Sequence, residues 1–245
     1  MNNMREGYQG TGPGAIAPDG TSIDFYLRLS AGDEADIVAA AVPAGARILE
    51  LGSGLGRITH PLLKHGFTVT AVDDSPEMLE RVRGARTVCS PIETLDLGET
   101  FDVVLLASFL VNAGDEKVRR GMLRTCARHT ADGGCVLIQR EGEEDFFANV
   151  PREWVDPGGY TGRILSAEPV GNGVRQVRVE YEFPDVAWTR TFLSRPLRRQ
   201  EFEEALKQAG LRADRYLTED QVWVRAVKAD AGGHDMPEEG RTAGQ

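Results

Sequence analysis

The sequence has little of what several classes of protein site require. Its 245 residues include four histidines and three cysteines, and Cys89, Cys126 and Cys135 have no metal-ligand spacing. A sparse, odd set of cysteines is typical of a reducing compartment, so we expect a cytoplasmic protein. No apolar run approaches the roughly 20 residues that cross a bilayer, and the polar stretch 1–14 lacks the apolar segment of a secretory signal. A membrane partner is therefore not expected.

Positive charge is also scarce. The chain has 28 Lys and Arg residues against 38 Asp and Glu residues, a formal net charge of −10. A protein that binds nucleic acid usually carries a basic surface that neutralises phosphates. The composition therefore disfavours DNA or RNA as a partner and favours a small molecule.

Glycine, in contrast, is concentrated in one stretch. The residues from Ile48 to Leu51 have the apolar pattern of a buried strand, and Gly52, Gly54 and Gly56 follow at alternate positions before a helical pattern. Glycine permits the backbone angles of a tight turn and lets ligand atoms approach the backbone closely. This strand–turn–helix unit is expected to hold a nucleotide-like ligand.

The spacing of the glycines separates two ligand classes. A dinucleotide fingerprint needs G-x-G-x-x-G, and Arg57 or Thr59 stands at the third glycine in the two possible registers. The pattern present is E-x-G-x-G-x-G, which resembles the first motif of the class I S-adenosylmethionine (SAM) dependent methyltransferases. In that family the loop wraps the amino-acid end of SAM, and no pyrophosphate is present. The resemblance implies five cofactor contacts here: Glu50, Gly52, Ser53, Gly54 and Gly56.

Acidic residues end the second predicted strand. The segment from Phe67 to Val72 alternates and is rich in β-branched residues, and Asp73-Asp74-Ser75-Pro76 follows it. An acid about twenty residues beyond the first glycine can accept both ribose hydroxyls. Ser75 or Asp74 could cap the helix that Pro76 begins. We expect Asp73 to bind the ribose and Asp74 to be the cap, and Asp74 is also a candidate cofactor contact. The alternative is that these acids serve only as helix caps.

The loop after the third predicted strand is the expected adenine contact. In the family that the chain resembles, this loop often carries an acid that hydrogen-bonds the adenine amine. Pro91 stands in that place here, which departs from the pattern. The resemblance then implies that Ile92 packs on the adenine ring and that Glu93 is the substitute acid, unless Glu93 faces solvent.

The fourth predicted strand is the apolar run from Phe101 to Ala107, as expected for a central parallel strand covered on both faces. Ligands of doubly wound sheets bind outside the carboxyl ends of the strands. We therefore expect Ala107, Ser108 and Phe109 to border SAM. Asn112 is a candidate contact to cofactor or acceptor, or else a turn cap.

The remaining pattern completes the fold that the resemblance implies. It is an α/β, Rossmann-like class I methyltransferase fold, a seven-stranded sheet whose last strand is antiparallel, plus a small antiparallel β insertion. Alternation between residues 162 and 193 predicts three strands for the insertion, and an irregular aromatic stretch precedes it at 145–160. The predicted organisation is a flexible arm or lid at 1–30, a methyltransferase domain at 31–228 with the insertion at about 160–195, and a disordered tail at 229–245.

The implied reaction is an in-line displacement in which an acceptor oxygen, nitrogen or carbon attacks the SAM methyl group and S-adenosylhomocysteine (SAH) leaves. Positioning of two reactants can supply much of such catalysis, although a general base can assist. Glu141 and Glu143, just beyond the fifth strand, and His60 are the candidate bases. Four aromatic residues are expected to line the pocket: Tyr8, Tyr26, Tyr160 and Trp188.

The insertion resembles that of small-molecule and sugar N- or O-methyltransferases of actinobacterial natural-product pathways. That resemblance implies a small-molecule acceptor in secondary metabolism, and an insertion that covers the acceptor or forms a homodimer interface. Two alternatives stay open: a SAM-fold enzyme that catalyses a cyclisation or rearrangement without methyl transfer, and a non-catalytic SAM-binding partner subunit. The intact glycine loop and Asp73 disfavour the second alternative.

Overall fold

The computed structural model describes residues 4–142, 147 and 149–229. Six helices are described: α1 Ile23–Arg28, α2 Glu34–Ala41, α3 Thr59–Lys64, α4 Pro76–Leu79, α5 Glu116–His129 and α6 Arg199–Gln208. The first six strands are β1 Gln9–Thr11, β2 Arg47–Leu51, β3 Thr68–Asp73, β4 Arg86–Cys89, β5 Phe101–Leu106 and β6 Thr130–Gln139. The other six are β7 Arg152–Val155, β8 Thr161–Gly171, β9 Val174–Glu182, β10 Ala187–Ser194, β11 Leu211–Tyr216 and β12 Trp223–Lys228.

Seven strands form the main sheet, in the order β11-β12-β6-β5-β2-β3-β4. The pairs from β6 to β4 are all parallel, and β12, the last of the described strands, runs antiparallel to β6. This confirms the predicted Rossmann-like sheet. Its central strands are apolar because helices cover both faces: Leu49 and Leu51 face the cluster of α5 and α6, and Ile48 faces that of α2 and α3.

The second sheet has five antiparallel strands, in the order β1-β10-β9-β8-β7. The sequence predicted only its three inner strands. β7 lies in the stretch predicted to be irregular, and β1 lies in the predicted flexible arm, where Gln9 pairs with Thr191 and Thr11 with Thr189. Strands of three or four residues are too short to show a clear alternation, so tertiary pairing alone reveals them.

The rest of the arm packs on this second sheet. Phe25 of α1 is buried and stacks on Tyr181 at 4.3 Å between ring centroids, whereas Leu27 of the same helix is 50% exposed. The predicted tail from residue 230 onward lies outside the described residues. Among the described residues, no helix combines the length and apolarity needed to cross a membrane.

Candidate active site

A cavity opens where the main sheet presents the carboxyl ends of β2, β3, β5 and β6. The glycine loop, the residues after β5 and Glu141 form its floor. Strand β10 and the arm form the opposite wall, and the arm contributes Arg5, Tyr8, Asp19 and Tyr26. Two elements that are remote in sequence therefore enclose the site expected for the cofactor.

The backbone angles at all three alternate glycines of the loop favour a residue without a side chain. Their φ angles are +76° at Gly52, +55° at Gly54 and +86° at Gly56, in the left-handed region that other residues rarely adopt. A Cβ on Gly52 would also lie 2.5 Å from Cδ1 of Leu110. The N–H groups of Gly52 and Ser53 donate to the carbonyl of Val72 at 2.8 and 2.9 Å, which fastens the loop to β3.

Asp73 ends β3 and connects the loop to the helix after it. Its Oδ2 accepts from the N–H of Gly54 and its Oδ1 from the N–H of Ser75, both at 2.9 Å. Burial raises its pKa to about 6, against the effect of the two backbone donors. The carboxylate lines the cavity. The ribose contact stays a prediction, to which the structure adds a role in shaping the loop.

The expected cap role of Asp74 is wrong. Ser75 is the N-cap residue of α4, and its Oγ accepts from the N–H of Met78 at 3.4 Å. A serine hydroxyl directly before the first helical residue has the right reach for this bond. Asp74 instead accepts from the guanidinium of Arg5 at 2.7 Å and lines the cavity.

Glu50 is a buried acid beneath the loop, 2% exposed. Its Oε2 accepts from Oγ1 of Thr59 at 2.5 Å, which joins β2 to the start of α3. Burial raises its pKa to about 7, so the side chain exchanges a proton near neutral pH. It also lines the cavity, where a ligand donor can meet its carboxylate.

The expected adenine end is built differently from the prediction. Ile92 lines the cavity, as an adenine contact would, but Pro91 is exposed and neither Pro91 nor Glu93 lines it. Oε2 of Glu93 lies 3.9 Å from a guanidinium nitrogen of Arg5, the same group that binds Asp74. Arg5 thus lies between two acids at this end. The sequence offered no signal for it, because the arm has no periodicity.

The backbone after β5 is strained. Ser108 and Phe109 are consecutive non-glycine residues with φ of 54° and 58°, and both side chains line the cavity. Such residues cost of order 1–3 kcal/mol each and cluster at functional sites. Ala107, predicted to border the cofactor, is buried beside them and does not line the cavity.

Asn112 and Glu141 lie at the far side of the cavity from Asp73. Asn112 is 3% exposed, and neither Oδ1 nor Nδ2 has a hydrogen-bond partner among the described residues. A buried amide without partners costs about 1–3 kcal/mol, which a bound ligand can recover. Oε1 of Glu141 accepts from Oγ of the buried Ser194 at 3.4 Å, and all three residues line the cavity.

Three predicted pocket residues lie elsewhere. His60 does not line the cavity; its Nε2 accepts from the N–H of Arg83 at 3.1 Å, and its ring packs on Gly56. Tyr160 and Trp188 belong to an aromatic cluster around Phe25, since the second sheet turns their side chains away from the cavity.

Two described aromatic residues of the stretch 145–160 pack in the second sheet. Phe147 and Trp154 join its apolar cluster. Glu143 and Phe146 lie outside the described residues.

Tyr26, in contrast, lines the cavity as predicted, and burial raises its pKa to about 12. Beside it, the sequence missed Arg190, whose guanidinium donates to Oδ2 of Asp19 at 2.7 Å. In the sequence, Arg190 occupies a polar position of an alternating strand and has no feature that distinguishes it from the other polar positions. Only the pairing of β10 with the arm places it at the cavity.

Comparison with known proteins agrees with this geometry. Residues 49–138 match the family model described as a methyltransferase domain. A ubiquinone biosynthesis O-methyltransferase of Caulobacter sp. is 30% identical over 51% of this chain and 60% of its own length. This chain covers 60% or less of the length of each of three curated methyltransferases that it matches, including this one.

Two solved structures share the fold across nearly their whole length. The amino pentose methyltransferase CalS10 of Micromonospora echinaspora has a TM-score of 0.66 and 23% identity, covering 84% of this chain and 95% of its own. The sugar N-methyltransferase KedS8 of Streptoalloteichus sp has a TM-score of 0.68 and 20% identity, covering 90% and 98%.

The seven-stranded sheet and the glycine loop at the ends of its strands define a class I methyltransferase fold. Within this fold, residues 49–138 match the methyltransferase domain. Solved proteins that share the fold include SAM-dependent methyltransferases, and CalS10 was solved with SAM bound.

Proposed function

We propose that this protein transfers the methyl group of SAM to an oxygen, nitrogen or carbon nucleophile of a small-molecule acceptor. The observation that carries the proposal is a single cavity with two differently built sides. One side has the glycine loop and Asp73, and the other has the buried amide of Asn112 beside Glu141. A cofactor and an acceptor can therefore occupy adjacent places.

The order of the strands supports this division. Asp73 ends β3 and Glu141 follows β6, and β2 and β5 lie between these strands. With strands about 4.8 Å apart, the carboxyl ends of β3 and β6 are separated by about 14 Å. A cofactor with its ribose at Asp73 then extends its sulfonium toward β5, and the acceptor approaches from β6.

The chain's own residues would act mainly by position. The methyl carbon is already activated by the sulfonium, so alignment with the acceptor supplies much of the catalysis. Glu141 is the side chain best placed to take a proton from the acceptor, since Ser194 orients it and it lies at the cavity wall. We assign His60 no part in the chemistry, because it does not line the cavity.

An acceptor of natural-product type is the finer part of the proposal. It is supported by the similarity of the fold to the amino pentose and sugar N-methyltransferases. We also propose a homodimer formed through the second sheet, on which Val155 and Val170 are exposed apolar residues. Light scattering on the purified protein tests the dimer, and a monomeric mass at micromolar concentration would rule it out.

Calorimetry with SAM, SAH and NADH tests the cofactor, and release of SAH in the presence of amines, alcohols, catechols and carboxylates tests transfer. We expect both sulfur compounds, but not NADH, to bind at micromolar concentration. Binding of NADH alone would overturn the proposal. SAM binding with no methylated product from any acceptor would favour a rearrangement or a non-catalytic role.

A further inference from the structure

A second cavity lies on the far side of one wall of the candidate active site. Helices α5 and α6 and the turn between β8 and β9 surround it, and we call it the rear cavity. Among the described residues, none lines both the rear cavity and the active-site cavity. The rear cavity is therefore a separate place where a ligand can bind.

Two short segments form the wall between the cavities. The N–H of Arg195 donates to the carbonyl of Asn112 at 2.7 Å, and Ala113 pairs with Ser194 in an isolated antiparallel bridge. Successive side chains of an extended segment point to opposite sides. Ser194 accordingly lines the active-site cavity, whereas Arg195 lines the rear cavity. A ligand in the rear cavity would contact the back of this wall.

Arg119 is a buried cation in the lining of the rear cavity. It is 5% exposed, and its Nη1 donates to the carbonyl of Ala113 at 2.7 Å. A guanidinium has five N–H donors, and this one makes no other hydrogen bond and no ion pair with the described residues. Buried charges are normally paired, because the desolvation of an isolated charge is costly. Arg119 therefore lacks a counterion within the described part of the chain.

The other charges of the rear cavity largely balance one another. Two ion pairs, each at 2.8 Å, join the remaining arginines of the lining to acids: Arg195 with Glu201, and Arg120 with Glu116. The third acid of the lining, Glu204, is exposed and accepts from a side-chain amide of its own helix at 3.1 Å. The buried guanidinium is thus the charge that a ligand can neutralise.

An oxyanion fits this place. Burial lowers the pKa of Arg119, and the guanidinium of Arg195 lowers it further. An anion between the two guanidinium groups would offset both effects. The planar fork of a guanidinium matches two oxygens of a carboxylate or phosphate, and such charge-assisted hydrogen bonds are the strong ones.

We propose that the rear cavity binds a small oxyanion, the carboxylate or phosphate group of a small molecule, between the guanidinium groups of Arg119 and Arg195. Binding is noncovalent. The bound group supplies the counterion of Arg119 and stabilises the contact of α5 with the wall between the cavities. Because the rear cavity is separate from the active-site cavity, this proposal does not depend on methyl transfer.

Titration of the full-length protein with inorganic phosphate and with acetate tests the proposal. Sodium chloride holds the ionic strength constant, and nitrogen NMR of the arginine side chains follows binding. We expect saturable binding with a Kd of about 1 mM, which two charge-assisted contacts to a small ion can provide. The Kd should agree within about twofold with and without SAH, because sites that are not coupled bind independently. Tighter binding of phosphate would indicate a phosphorylated ligand, and tighter binding of acetate a carboxylate.

Three variants connect anion binding to Arg119. Arg119→Met removes the guanidinium and keeps an unbranched side chain, and it should weaken binding at least about tenfold. Arg119→Lys keeps the charge without the planar fork and should weaken binding at least about threefold. Arg124→Met, at an exposed arginine of the same helix, is the matched control and should bind the anion as the wild-type protein does.

Thermal unfolding distinguishes a binding site from a purely structural arginine. At about 20 mM, the tighter-binding anion should raise the unfolding midpoint of the wild-type protein by about 4 °C. Phosphate also stabilises proteins by its exclusion from their surface, so the comparison is with Arg119→Met, in which the rise should be much smaller. An arginine that served only to bond Ala113 would leave the response to the anion unchanged in the variant.

Three results would each overturn the proposal. They are the absence of saturable binding of either anion, competition between the anion and SAH, and equal anion binding by the wild-type protein and a folded Arg119 variant.

Discussion

Oε1 of Gln139 accepts a hydrogen bond from the N–H of Ser108 at 2.7 Å, where the chain enters two consecutive left-handed residues. Gln139 is the last residue of β6, and Ser108 lies just beyond the neighbouring strand β5. The bond holds the strained backbone that presents Ser108 and Phe109 to the cavity.

Loss of this bond should weaken cofactor binding. Gln139→Leu removes the acceptor at similar size, and a hydrogen bond of this kind is worth about 1 kcal/mol, so we expect the Kd of SAH to rise about fivefold. Glycine adopts left-handed angles at little cost, so the same change in a Ser108→Gly background should have a smaller effect. Calorimetry on the four proteins measures both effects, and equal losses in the two backgrounds would contradict the strain argument.

Asp73 should be the strongest single contributor to cofactor affinity. Asp73→Ala removes the expected ribose acceptor and the acceptor of the Gly54 N–H, and we expect SAH binding to weaken by about 1–3 kcal/mol. Asp132→Ala, at an exposed acid, provides the control. Unchanged SAH affinity in a folded Asp73→Ala protein would restrict Asp73 to shaping the loop.

Glu50 should make the ligand-free protein less stable as pH rises. Its pKa is raised by burial from 4.5 to about 7, so the folded protein keeps a proton that the unfolded chain releases between these values. Stability is then lost across this window and levels off above about pH 7, by about 3 kcal/mol in total. Urea unfolding from pH 4 to 8 measures it.

Glu50→Gln should reduce that pH dependence, most clearly between about pH 6 and 7, because the amide does not titrate and its oxygen can still accept from Thr59. Asp73, whose pKa burial also raises, to about 6, should keep a slope at lower pH. Glu168→Gln, at an exposed acid on the insertion, is the matched control. The same slope in Glu50→Gln and in the wild-type protein would show that other groups cause the pH dependence.

Arg5 should slow the release of the cofactor. Its guanidinium donates to Asp74 at 2.7 Å and holds the arm against the cavity, and both partners are half-buried. Arg5→Ala should speed SAH dissociation about fivefold, since such a pair is worth up to about 1 kcal/mol. Stopped-flow displacement measures the rate, and exposed Arg178→Ala is the control.

A double-mutant cycle isolates the pair. In an Asp74→Ala background the change at Arg5 should have a smaller effect, because the bond to Asp74 is already absent and only the longer pair with Glu93 at 3.9 Å remains. Fully additive effects of the two changes would show that Arg5 acts elsewhere.

Local sequence patterns predicted most of the structure of the main sheet and its site. The apolar run through Ile48 and Leu51, the alternate glycines and the acids after β3 are adjacent in sequence, and strand–turn–helix units are recognised at that range. The resemblance to the class I SAM-dependent methyltransferases and the seven-stranded sheet followed from them. The sequence also placed Asp73, Ser108, Asn112 and Glu141 at the ends of neighbouring strands, which is where the structure has them.

Contacts between segments distant in sequence determine how the arm and the insertion enclose the cavity. The pairing of Gln9 with Thr191, the ion pair of Arg5 with Asp74 and that of Asp19 with Arg190 join segments at least 69 positions apart, and no local pattern encodes them. Short edge strands and surface arginines look alike in sequence wherever they pack. The sequence by itself determined the fold and cofactor class, whereas tertiary pairing of the arm and insertion decided which side chains enclose the cavity.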